Sequence, residues 1–182
     1  QLAKARRKLQ KDEKRIAAAQ LKWERTTAVQ SRGKDSTRKG LVAHWPLDKK
    51  LNDIAESGQA LRFVGKPAYT DGVLGQAAKL NGRAFLNAGN RFDFSHYEPF
   101  SIAAWVRLDT KNGRFSIVSR MLPAQKLFRG YTFQIFAGLP SLFLIHKFPD
   151  NMIQVQGQSL RANQWHHLAA TYDGSGKAQG VK

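Results

Sequence analysis

Two stretches predict an all-β protein, an antiparallel β-sandwich preceded by one helix. In the first, residues 100–108, Phe100, Ile102, Ala104, Val106 and Leu108 alternate with Ser101, Ala103, Trp105 and Arg107. That period of two belongs to a strand with one buried face. The second, residues 164–176, reads QWHHLAATYDGSG: an aromatic-led strand that closes on a Gly-bearing turn. The apolar runs upstream of it are short and separated by turn residues, the pattern of about nine or ten strands with few or no helices.

The helix lies at the start. Leu2, Leu9, Ile16 and Trp23 recur every seven residues, with Ala5 and Ala19 three positions after their neighbours, on a background of Ala, Lys, Arg, Gln and Leu. This is the stripe of an amphipathic helix over residues 1–30. Asp12 breaks the second heptad and weighs against a zipper. Residues 31–40, SRGKDSTRKG, form a polar linker with no periodicity. The formal net charge of +17 is uneven: residues 1–40 hold 13 Lys/Arg against 4 Asp/Glu, and residues 41–182 hold 17 against 9. The arm is therefore strongly basic. Its charges run nearly all round the helix rather than along one face, which argues against a nucleic-acid reader.

Residues 41–182 form the globule. Residues 41–47, LVAHWPL, read as an apolar strand that Pro46 confines to an edge or an end. Residues 60–64 form a short strand in a loop-rich stretch. Residues 77–80 and 84–88 pair as a hairpin around Asn81-Gly82, because Asn-Gly accepts the positive φ of a type I′ turn. The core face of residues 100–108 stabilises the fold by roughly 1.5–3 kcal/mol per large side chain, as an upper estimate. Asn112-Gly113 turns the chain into residues 114–120. Residues 131–137 and 141–147 pair across Gly138-Leu139-Pro140, and strands over 152–156 and 164–172 follow.

With no cysteine, the chain has no disulfide, no thiolate metal site and no Cys nucleophile. No run of about 18 apolar residues is present, so no membrane span is expected. The chain opens on Gln1, as a processed or excised piece would. A glycosidase needs paired carboxylates about 5–10 Å apart, which a strand supplies at i and i+2. No such pair occurs in residues 41–182, and Glu56 and Glu98 are the only glutamates there. His166 and His167 are adjacent on a strand and point to opposite faces, so they do not share an ion. The sequence thus lacks the carboxylate geometry that glycoside hydrolysis needs. Trp45, Tyr97 and Tyr131 are candidate stacking rings on loops or strand ends, and Trp105 is one on the sheet face turned away from Ile102 and Val106.

LVAHWPLD, DGVLGQAAKLNG, FSIAAWVRL and NQWHHLAATYDGSG, in that order, resemble the concanavalin A-like, laminin-G-type domain, a jelly-roll sandwich. The resemblance covers residues 41–182. It implies a non-catalytic module that binds a glycan or a protein within a larger exported protein, in the periplasm or cell envelope. It also implies further strands after the TYDGSG turn, so the domain is expected to be C-terminally truncated, with an open edge beside LVAHWPL. Domains of this type often hold one calcium ion through an early-loop aspartate, and Asp53 stands at that place. The arm with its AQLKWERT resembles large planctomycete-type proteins that carry a cytochrome-c-like domain, which implies a structural spacer packing on an electron-transfer neighbour as one alternative role; a fragment of a polysaccharide-active enzyme is the other.

Overall fold

The structure, a computed structural model of the 182-residue chain, describes residues 39–55 and 58–182. The helix and most of the linker expected over residues 1–40 lie outside the described residues. The chain divides into two compact units, Gln1–Trp45 with Asp53–Gln59, and Pro46–Asn52 with Ala60–Lys182.

The described part of the first unit is a loop closed by Asp53, a buried carboxylate. Its Oδ1 accepts the amide N–H groups of His44 at 2.7 Å and Ala55 at 2.9 Å, and the Ile54 N–H donates to the His44 carbonyl. These bonds account for the correction to residues 41–47: they form no strand. The backbone groups that a ladder would use are taken locally, and Leu47 and Lys49 turn the chain through positive φ.

The second unit holds ten strands, all antiparallel. β1 (Arg62–Val64) pairs with β4 (Phe85–Asn87), and β2 (Tyr69–Asp71) with β3 (Gln76–Ala78). β5 (Phe100–Arg107) pairs with β10 (Trp165–Tyr172) in full register, Phe100 opposite Tyr172 and Arg107 opposite Trp165. β6 (Arg114–Met121), β7 (Gly130–Phe136), β8 (Leu139–Lys147) and β9 (Asn151–Gln156) form a four-stranded sheet in chain order. The β5–β10 pair supplies Phe100, Ala170 and Tyr172 to one core, and the four-stranded sheet supplies Tyr131, Phe133 and Leu142. A second cluster, Leu108, Ile135 and Leu160, extends it. The expected sandwich is present, and the alternation of residues 100–108 is that of β5, where Ser101, Ala103 and Trp105 are exposed.

One expected hairpin is replaced by two other pairings. The strand over residues 77–80 does not meet residues 84–88. β3 turns back onto β2, with the Gly72 N–H donating to the Gly75 carbonyl, and β4 goes to β1. Asn81 spends its side chain on its own neighbours instead: its Oδ1 accepts from the Arg83 and Ala84 amides, both at 3.1 Å. This Asx turn competes with the tight hairpin and wins. β7 and β8 pair as expected, but the turn is tighter than the expected Gly138-Leu139-Pro140: Ala137 (φ 50°) and Gly138 (φ 80°) are its central residues and Leu139 and Pro140 belong to β8, the two positive φ values being those of a type I′ turn.

After β10 the chain folds back on itself. The Tyr172 hydroxyl donates to the His96 carbonyl at 2.6 Å and accepts the Gly176 N–H at 2.7 Å. Thr171 and Lys182 exchange both backbone hydrogen bonds, so residues 181–182 begin to pair along the edge of β10 away from β5.

A candidate ligand platform on the β5–β10 face

A strand alternates its side chains, so the core face of the β5–β10 pair fixes what lies on the other face. Phe100, Ile102, Ala104 and Val106 point inward on β5, and Leu168, Ala170 and Tyr172 point inward on β10. The register then sets four cross-strand pairs on the opposite face: Ser101 with Thr171, Ala103 with Ala169, Trp105 with His167, and Arg107 with Trp165. Side-chain size rises along this face, from hydroxyls through alanines to aromatic rings. Two small rows therefore form a floor that ends against the indole of Trp105.

That indole is 53% exposed and lies 5.1 Å, centroid to centroid, from the His167 ring at an interplanar angle of 55°. The Arg107 guanidinium sits 5.5 Å from the Trp165 ring centroid, within cation–π range, and its Nη2 donates to Thr70 Oγ1 at 3.3 Å. Arg107 is thus held by an aromatic ring and a hydroxyl. The face combines an open π-surface with donors at its border, which suits a ligand with C–H groups on one side and hydroxyl or acidic groups at its rim.

The other candidate rings are dispersed. Tyr97 is 68% exposed and lies against His96, close to where β5 begins. Trp105 is five residues into β5, about 16 Å away at the usual strand rise. Trp45 belongs to the first unit, where its indole N–H donates to the Gln59 carbonyl at 3.3 Å. Tyr131 is a core residue, not a surface platform: it is 5% exposed, packs against Phe94 and Phe100 and donates its hydroxyl to the Phe92 carbonyl at 2.9 Å. Burial pushes that hydroxyl up to about 12 from the ordinary 10.0, a rise that nearby Arg120 opposes and Asp93 slightly adds to.

Arg107, Trp165 and His167 escape a reading of the sequence as platform residues. The alternation of each strand is visible, but the register that sets His167 beside Trp105 is not.

The described carboxylates are engaged in the architecture. Asp48 accepts from the Gln76 amide and Asp71 from its side chain. Glu98 accepts from the Ser95 amide. Asp93, Asp109 and Asp150 pair with Arg120, Lys79 and Lys147. Hydrogen bonds from Ser175 hold the Asp173 carboxyl below the usual range. For calcium, Asp53 presents an oxygen already aimed at by two N–H donors, and no three His, Asp or Glu residues converge among the described residues. This donor set does not fit an ion that takes six to eight oxygens.

The residues that build these strands have a counterpart among known families. A family model described as the concanavalin A-like lectin/glucanases superfamily, of laminin-G type, matches residues 69–180, well over half of the chain. The chain belongs to that superfamily. The match begins at β2 and runs through β10 to the turn behind it, so it takes in both strands of the platform. Neither the curated proteins nor the solved structures contain a match to this laminin-G-type chain.

Proposed function

We propose that this laminin-G-type domain is a non-catalytic interaction module whose β5–β10 face binds a glycan. The observation that carries the reading is Trp105: a large indole left half-exposed on a regular strand, beside an imidazole and in the row next to a guanidinium. A pyranose ring offers C–H groups on one face and hydroxyls at its edge. Trp105 would take the first, and His167 and Arg107 the second. Membership of a superfamily of lectins and glucanases supports a carbohydrate- or protein-binding role. The structural duties of the described carboxylates favour binding over hydrolysis. Domains of this type typically work outside the cell, which supports placing the parent protein in the periplasm or envelope.

The test is a glycan array followed by titration of the best ligand against Trp105→Ala and Tyr97→Ala. Loss of the Trp105 ring should cost about 2 kcal/mol or more of binding, roughly thirtyfold in affinity, with thermal stability unchanged because the ring is outside the core. Tyr97→Ala should bind as the wild type does. Equal affinity of Trp105→Ala and wild type would remove the platform, and release of reducing sugar by the wild-type chain would make the domain an enzyme.

A further inference from the structure

At one end of the four-stranded sheet two loops share a side. Met121, Gly130, Ile145 and Met152 line up across β6 to β9, so the β6–β7 loop over residues 122–129 and the β8–β9 loop over residues 148–150 emerge together. They are tied to each other: the Phe148 N–H donates to the Leu127 carbonyl at 3.1 Å, and the Phe128 and Phe148 rings meet edge to face at 5.8 Å. The first loop makes one 3₁₀ turn, Ala124–Lys126, and then places Leu127 (φ 59°) and Phe128 (φ 56°) in the left-handed region.

Two consecutive bulky residues at positive φ are strained, and such strain tends to gather at functional sites. Here it leads no side chain into the core. Leu127 is 45% exposed, Phe128 39% and Phe148 44%, with Met121 and Leu122 exposed beside them. Contiguous apolar surface of this kind marks a contact with a protein or a membrane. The charges favour the second. Lys126 and Arg129 flank the apolar residues and are exposed. The one acidic residue of the two loops, Asp150, is engaged by Lys147 at 2.8 Å. An apolar tip ringed by cations matches the boundary of an anionic bilayer, where acyl chains lie beneath negative headgroups.

We infer that this end of the sheet is a membrane-docking tip, with Leu127, Phe128 and Phe148 entering the interfacial layer and Lys126 and Arg129 meeting anionic headgroups. This surface is separate in sequence and strand from the Trp105 platform, and either can fail without the other.

Co-sedimentation of the full chain with vesicles tests it. The chain should bind 3:1 phosphatidylcholine:phosphatidylglycerol vesicles, and bind pure phosphatidylcholine at least about tenfold more weakly. Leu127→Ser/Phe128→Ser leaves every charge in place, including the basic arm, and should lower binding to the anionic vesicles by about tenfold or more. Phe148→Ser should lower it less, and Lys126→Glu/Arg129→Glu should lower it by about tenfold or more. These residues are exposed, so all variants should keep the wild-type thermal transition. Undiminished binding by the double serine variant would assign any attraction to charge alone and overturn the docking tip. So would a wild-type dimer that the same variant turns into a monomer in sedimentation equilibrium, since the tip would then join two copies.

Discussion

At the scale of the residue, aromatic identity alone does not say where a ring goes. Trp105 and Tyr131 both stand on strands of the same sandwich, one on an outer face and one in the core. The fate of Trp105 is legible from its neighbours, because Phe100, Ile102, Ala104 and Val106 claim the other side of β5. For Tyr131 that signal is missing: residues 131–135 are buried without interruption, so both faces of β7 are covered there. The buried hydroxyl has a measurable consequence. Its folded pKa, about 12, lies above the ordinary 10.0, so the folded state holds the proton more tightly than the unfolded chain does. The resulting stabilisation is full below pH 10 and is lost as the pH rises from 10 through 12. Tyr131→Phe should cost about 1 kcal/mol at pH 8, through loss of the hydrogen bond to Phe92. The gap between wild type and variant should then narrow above pH 10. Urea midpoints at pH 8 and pH 11 measure both, and a gap that stays constant would contradict the burial assigned to this hydroxyl.

Elements were legible where one signal acted alone. β5, β7, β9 and β10 follow their apolar patterns to within a residue, and β8 begins two residues before the expected start. The failures lie where a side chain offers the backbone another partner. Asn81 makes an Asx turn with Arg83 and Ala84 in place of the expected hairpin, and Asp53 binds the His44 amide that a strand over residues 41–47 would have used. Both depend on a carbonyl or carboxylate oxygen reaching a nearby N–H, which propensity and period do not register. The turn behind β10 gives a prediction at this scale. Gly174 has φ 82°, and a Cβ there would run into the Tyr97 carbonyl; Gly176 has φ 70°, and a Cβ there meets open space. Gly176→Ala should cost about 1 kcal/mol, the conformational penalty alone. Gly174→Ala should cost about 2 kcal/mol or more, because backbone must also move. Equal losses in chemical denaturation would mean that the turn does not press on Tyr97.

For the whole molecule, the sandwich was readable because two faces of opposite character recur along several strands and leave few architectures open. The binding face was readable only by half. The sequence singles out Trp105, but Arg107, Trp165 and His167 join it through the antiparallel register of β5 and β10, which closes over more than fifty intervening residues. The exposed apolar tip of Leu127, Phe128 and Phe148 likewise depends on two loops brought together by strand pairing rather than on either loop alone. If ligand lies on the outer face of the β5–β10 pair, amide chemical-shift mapping during titration with an oligosaccharide will show it. Shifts should concentrate at Ser101, Ala103, Trp105, Arg107 and their partners Trp165, His167, Ala169 and Thr171. Shifts confined to the loop around Tyr97, with those eight residues unmoved, would contradict it.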